Sequence, residues 1–189
     1  MRHRFPVRPS SRANKRRQAG LTLVEMSVSL VVLTIAINMT LGAITSFAGL
    51  EEANQQKTDA YLAARRMVET LQAAQFGDVL SLYDENPVND PAGIVVPGPG
   101  FAVPSLDAVE GDPDGLAGRV LLPLDAAGQL REDQIDASFG GPRDLNADGI
   151  QDALDHSNDY IILPVRVRIE WRSRSGDRFV ELQTLLSPR

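Results

Sequence analysis

The residues with the clearest capacity for chemistry lie between Asp144 and Asp155 (DLNADGIQDALD). Side-chain oxygens stand at positions 1, 3 and 5 of this window (Asp144, Asn146, Asp148), with Gly149 at 6 and carboxylates at 9 and 12 (Asp152, Asp155). Calcium takes six to eight hard oxygens, and alternate side chains in a tight turn can converge on one point. Gly149 permits the sharp turn, and Ile150 at position 7 offers a backbone carbonyl. The spacing predicts a structural Ca²⁺ site built from Asp144, Asn146, Asp148, Ile150, Asp152 and Asp155, with affinity of roughly 10⁻⁴–10⁻³ M.

A second chemical oddity is Glu25. It opens a run from Met26 to Leu50 that holds no charged residue. That length suffices for a bilayer-crossing helix, which needs about 20 apolar residues. A carboxylate at the edge of such a segment is costly and is a functional candidate by default. Before it, residues 1–20 carry Arg2, Arg4, Arg8, Arg12, Lys15, Arg16 and Arg17 and no acid. So basic a stretch is expected to stay cytoplasmic.

Charge divides the chain at the same point. The formal net charge is −6, yet beyond residue 20 there are 12 basic against 25 acidic residues, a net of −13. That balance disfavours nucleic acid as the main partner. Cysteine is absent, which excludes disulfides and thiolate metal sites. The histidines are His3 and His156 alone, leaving little for a Ser-His-Asp hydrolase or a His-rich zinc enzyme. The composition argues against an enzyme.

These residues need elements to position them. No proline occurs between Pro9 and Pro87, and residues 51–76 are rich in Ala, Glu, Gln, Arg and Leu, all good helix formers. Tyr61, Ala64, Val68 and Leu71 make one apolar stripe of an amphipathic helix, the expected seat of a globular head. Helix from Leu21 to Phe76 would be about 80 Å long at 1.5 Å per residue. Gly42 and Gly49 mark where it could bend.

Residues 77–160 read as an acidic, turn-rich region, with short strands expected at Gly93–Val96, Gly100–Val103 and Arg119–Leu122. From 160 to 187 the pattern is an antiparallel hairpin. Val165, Val167, Ile169 and Trp171 alternate with Arg166, Arg168, Glu170 and Arg172, and Val180, Leu182, Thr184 and Leu186 alternate after a turn. Pro164 places the start of the first strand at an edge or bulge. The arginines Arg166, Arg168, Arg172, Arg174 and Arg178 read as a solvated strand face rather than a DNA-binding strip.

Basic leader, Gly20, Leu21, Thr22, Glu25 and long apolar helix together resemble the class III signal of type IV pilins and pseudopilins. The resemblance implies cleavage after Gly20 by a prepilin peptidase, N-methylation of Leu21, and an assembly role for Glu25 at the fifth mature position. The commonest first mature residue of that family is Phe, where this chain has Leu21. It further implies an α+β, lollipop-like fold. Residues 1–20 would be the cytoplasmic leader, 21–50 the transmembrane and assembly helix, 51–76 its amphipathic continuation, and 77–189 an extracytoplasmic head.

The implied function is structural: a minor pilin or pseudopilin of a type IV pilus or type II secretion-type filament. It would be held first in a bacterial inner membrane with its N-terminus inside. The implied partners are prepilin peptidase, other pilins and the inner-membrane assembly platform. The alternative is a single-pass, membrane-anchored calcium-binding surface module that enters no filament. With Asp155 where an EF-hand has Glu, the 144–155 loop resembles the calcium loops of dockerins and thrombospondin type 3 repeats.

Overall fold

The computed structural model describes residues 22–188. They form an α+β chain: one long N-terminal helix followed by a four-stranded antiparallel sheet. Helix α1 spans Leu23–Ala73 and runs through Gly42 and Gly49 without interruption. Two compact units divide the chain, one ending at Ala48 and the next beginning at Gly49.

In the first unit the apolar side chains of α1 are left exposed among the described residues. Leu30, Val31, Leu33, Ile35 and Ile37 are each at least half exposed. This part of α1 is long and apolar enough to cross a membrane. Its hydroxyls turn inward: Ser27, Thr34 and Thr40 donate to the carbonyls of Leu23, Leu30 and Ala36, four residues back. Such back-bonding removes most of the cost of carrying hydroxyls in an apolar span.

In the second unit α1 ends at Ala73, three residues short of the expected Phe76. Gln75 is extended, and a 3₁₀ turn over Phe76–Asp78 leads into helix α2, Val79–Tyr83. Tertiary contacts override propensity here. The Phe76 ring lies 5.0 Å from that of Tyr160, and the Phe76 carbonyl accepts from the Tyr160 hydroxyl at 3.1 Å. Ending the helix lets Val79, Leu80 and Tyr83 join the core.

Strands β1 (Gly100–Phe101), β2 (Gly118–Leu121), β3 (Leu163–Ser173) and β4 (Gly176–Leu186) lie in sheet order β1-β2-β3-β4. The predicted strand at 93–96 is instead irregular chain with a turn at Gly93 (φ 86°). The hairpin register sets Trp171 opposite Arg178 and Val167 opposite Leu182. The period of two puts Val165, Val167, Ile169 and Trp171 on the buried face. Pro164 sits where β2 has already stopped, since β2 pairs only Arg166–Ile169 of β3. A residue without an N–H therefore costs no ladder bond on that side.

Helix and sheet meet through alanines. Ala60 and Ala64 are fully buried, Leu71 nearly so, and Met67 and Val68 pack beside them. Ala64, Val68 and Leu71 of the expected stripe thus face the core, with Ala60 in the place of Tyr61, which remains 50% exposed. Small side chains admit the closest approach of backbone to sheet, while a tyrosine hydroxyl is cheaper to leave in water than to bury unpaired. Trp171 lies under this contact, and its indole N–H donates to Gln56 Oε1 on α1 at 3.2 Å.

Candidate functional site

Of the processing and assembly residues, Gly20 and Leu21 lie outside the described residues. Thr22 and Glu25 are placed at the start of α1. The Thr22 hydroxyl oxygen accepts from the Glu25 backbone N–H at 3.2 Å, and the Thr22 carbonyl accepts from Met26 at 3.1 Å. Thr22 is therefore the N-cap, satisfying one of the unpaired N–H groups that open every helix. Thr-x-x-Glu before an apolar run is the capping-box pattern, a signal that was legible in the sequence. Glu25 also sits in the first turn, where the helix dipole favours a negative charge.

In the 144–155 loop the first three candidate ligands bond within the turn, and the later two carboxylates reach beyond it. Asp144 closes the first half, accepting from the backbone N–H groups of Ala147 and Gly149, the latter at 2.8 Å. Ala147 (φ 61°) and Gly149 (φ 86°) both adopt left-handed backbone, which makes this turn tight. Asn146 Oδ1 accepts from Asp148, and Asp148 Oδ1 from Ile150. The two later carboxylates turn elsewhere. Asp155 Oδ1 accepts from the N–H groups of Leu130 and Ser157 at 3.1 Å each. Asp152 Oδ1 accepts from Leu154 at 2.8 Å and lies 3.1 Å from His156 Nε2.

What gathers around Asp152 escaped the sequence reading. Glu132, on a 3₁₀ turn over Glu132–Gln134, is fully buried, and His156 is 4% exposed. Glu132 Oε1 accepts from the N–H groups of Leu145 and Asn146, while its Oε2 lies 4.0 Å from His156 Nε2. On the other side of the ring, His156 Nδ1 is 3.0 Å from Asp159 Oδ1. One ligand atom each from Glu132, Asp152 and His156 falls within 4.8 Å of the other two.

Three pieces of chain are pinned together to achieve this. His156 N–H donates to the Leu130 carbonyl at 2.9 Å, Asp133 to Asp152 at 3.1 Å, and Ile161 and Ile162 both to Leu145. Leu130 and Leu145, fully buried on either side, anchor the cluster to the core.

Burial pulls the His156 pKa down, but hydrogen bonds to Asp152 and Asp159 and the charges of Glu132 and Asp159 outweigh it, so the net shift is upward. Asp152 is held below the usual carboxylate range by the Leu154 N–H and by His156. The histidine signal could have been found: His156 stands four residues after Asp152 and three before Asp159. Glu132 could not, because nothing in its spacing ties it to the loop.

Four of the five hairpin arginines make ion pairs, and Arg178 donates to the Ser175 hydroxyl. Arg166 pairs with Glu181 at 3.3 Å and lies over the Phe139 ring at 4.3 Å. Arg168 pairs with Glu170 and covers Phe179, Arg172 reaches Glu110, and Arg174 reaches Glu52.

Residues 15–37 match the family model described as a prokaryotic N-terminal methylation motif. The chain carries a type IV pilin-type signal. The match brackets Gly20, Leu21, Thr22 and Glu25 and continues into the apolar part of α1. Neither the curated proteins nor the solved structures hold a significant match to this chain. A pilin-type precursor is thereby supported, with processing by prepilin peptidase and assembly with other pilins as its implication, and an anchor in the inner membrane consistent with the apolar helix.

Proposed function

We propose that this chain is a structural filament subunit, a minor pilin or pseudopilin, rather than an enzyme. The observation that carries the reading is the methylation motif at 15–37 running directly into an apolar helix whose side chains face outward. In this reading residues 1–20 stay in the cytoplasm, cleavage after Gly20 frees the amine of Leu21, and the head is carried outside. An amine held in the low dielectric of a helix bundle needs a counter-charge, and Glu25 supplies it to its own chain or a neighbour's. The apolar face of α1 then leaves lipid for the equally apolar flanks of neighbouring helices.

Two measurements test this. Mass spectrometry of the mature protein should find a chain beginning at methylated Leu21; an intact Met1 would instead favour a plain surface anchor. Glu25→Ala should insert into the membrane normally and fail to enter filaments, and normal incorporation would refute the assembly role.

A structural Ca²⁺ in the 144–155 loop is a second proposal. Its donors are all hard oxygens, and the Asp144 and Gly149 geometry favours a tight turn. Asp144, Asn146, Asp148 and the Ile150 carbonyl would form the first half of its shell, with Asp152, Asp155 and water completing it. Millimolar Ca²⁺ should raise the unfolding temperature of the full chain in detergent, and Asp144→Ala should remove that rise. No shift in the parent chain would sink it.

A further inference from the structure

The cluster behind the loop carries a charge that its own side chains do not balance. Glu132 is fully buried, and among the described residues the ion pairs made by Glu132, Asp152 and Asp159 are with His156 alone. Three carboxylates thus face one imidazole. Even a protonated ring leaves two negative charges in excess, one of them removed from water. Buried charge is costly unless it is paired or bound to a metal.

The geometry adds a direction. Glu132 Oε1 is taken up by two backbone N–H groups, whereas Oε2 has only a 3.4 Å contact to the Asp152 N–H and points toward His156. The donor separations are 3.1 Å between Nε2 and Asp152 Oδ1, and 4.0 Å between Nε2 and Glu132 Oε2. A tetrahedral ion with bonds of about 2.0–2.2 Å requires donors roughly 3.4 Å apart, between these two values. On the far side of the ring, Asp159 Oδ1 is placed to accept a hydrogen bond from Nδ1–H at 3.0 Å. A carboxylate on Nδ1 is how metal-ligating histidines are commonly oriented, and it directs Nε2, whose partner here is Asp152 Oδ1, at the other two ligand atoms.

We propose that Glu132, Asp152 and His156 bind a divalent transition metal of the zinc class, with Asp159 as the positioning residue. Calcium is the wrong ion for this centre, because it takes oxygen ligands and this set includes an imidazole nitrogen. A borderline ion accepts one nitrogen and two carboxylate oxygens readily. Glu132 and Asp152 together match a divalent charge, so a bound ion lowers the excess of the three-carboxylate cluster from two negative charges to one. The metal would tie the 3₁₀ turn at Glu132 to the segment following the loop, a cross-link for a chain that has no cysteine. The centre adjoins the oxygen-only half of the loop at Asp144–Ile150, where Asn146 Nδ2 lies 3.4 Å from His156 Nδ1 and from Asp159 Oδ2, and it does not depend on the filament reading.

The test uses the full chain in detergent, stripped of metal and titrated with Zn²⁺ by calorimetry, then with Co²⁺ to read ligand-field absorption. One equivalent of Zn²⁺ should bind, raise the unfolding temperature, and resist displacement by millimolar Ca²⁺. His156→Gln should abolish this binding, and Asp159→Asn should weaken it about 10- to 100-fold. If His156→Gln fails to fold by circular dichroism, the less buried Asp152→Asn takes its place and should lower affinity at least tenfold. Absence of stoichiometric Zn²⁺ binding by the folded parent overturns the proposal. So does parent-like binding in the folded His156→Gln or, failing that, Asp152→Asn chain. A Ca²⁺ response that survives without a Zn²⁺ response would leave the loop proposal standing and remove this one.

Discussion

The part of α1 before Ala48 and the unit beginning at Gly49 solve the same problem in opposite ways. Both are rich in apolar residues. In the first, Leu30, Val31 and Leu33 stay exposed, whereas in the second Val165, Val167 and Ile169 are fully buried in the same core as Ala60 and Ala64. The first is a surface made for an environment that other molecules supply, lipid or neighbouring helices. The second closes on itself. The difference teaches that apolar content alone does not tell core from anchor; what matters is whether the same chain returns to cover it.

That contrast can be broken at several points. The largest effect should come from Gly20→Val, which should abolish leader removal altogether while leaving the head folded; mass spectrometry and circular dichroism read the two halves separately. Next is Trp171→Ala. Trp171 is 1% exposed and hydrogen-bonded to Gln56, so its loss should cost the head about 3–5 kcal/mol without changing membrane insertion. A head that unfolds in denaturant as before would show that the sheet does not rest on this contact.

Ala64→Leu is expected to be milder, destabilising the head by about 1–3 kcal/mol, because a fully buried alanine sets the spacing between helix and sheet. The matching change on the other side of the comparison, Val31→Leu, should leave head stability within about 0.5 kcal/mol, as expected for an exposed site outside the core of the head.

The smallest effect concerns pH. Hydrogen bonds from the Ser138 hydroxyl and its backbone N–H hold the Asp136 carboxyl below its ordinary value. A depressed carboxylate contributes stability above its unfolded pKa and loses it as pH falls through the folded one. Asp136→Asn should therefore lower head stability slightly at neutral pH and converge with the parent below pH of about 4, which flattens the acid limb of the curve. An acid-unfolding curve identical to the parent's would show that this cap contributes nothing measurable.

Much of the fold was readable from local pattern. The alternation in 165–171 and 180–186 specified the hairpin and its buried face, because strand side chains must alternate whatever surrounds them. The uncharged run after Glu25 specified a membrane-capable helix for a similar reason. Legibility failed where a long-range contact decided the outcome. Phe76 belonged to the helix by propensity and left it for Tyr160. Tyr61 matched the stripe by type and stayed exposed because alanines made the closer contact. The contacts of Asp152 with His156 and of Asp155 with the Leu130 N–H were likewise not readable from the spacing of the loop.

The sequence by itself determined the signal at Gly20–Glu25, the anchor-length helix and the hairpin, since each depends on residues within a few turns of one another. Only the tertiary structure decided which face of α1 is buried and what surrounds His156. Glu132 lies 24 residues before that histidine and was brought to it by the burial of Leu130 and Leu145. A charge placed by packing at that distance leaves no periodic trace, because hydrophobic burial is non-directional and selects partners only once the core has closed.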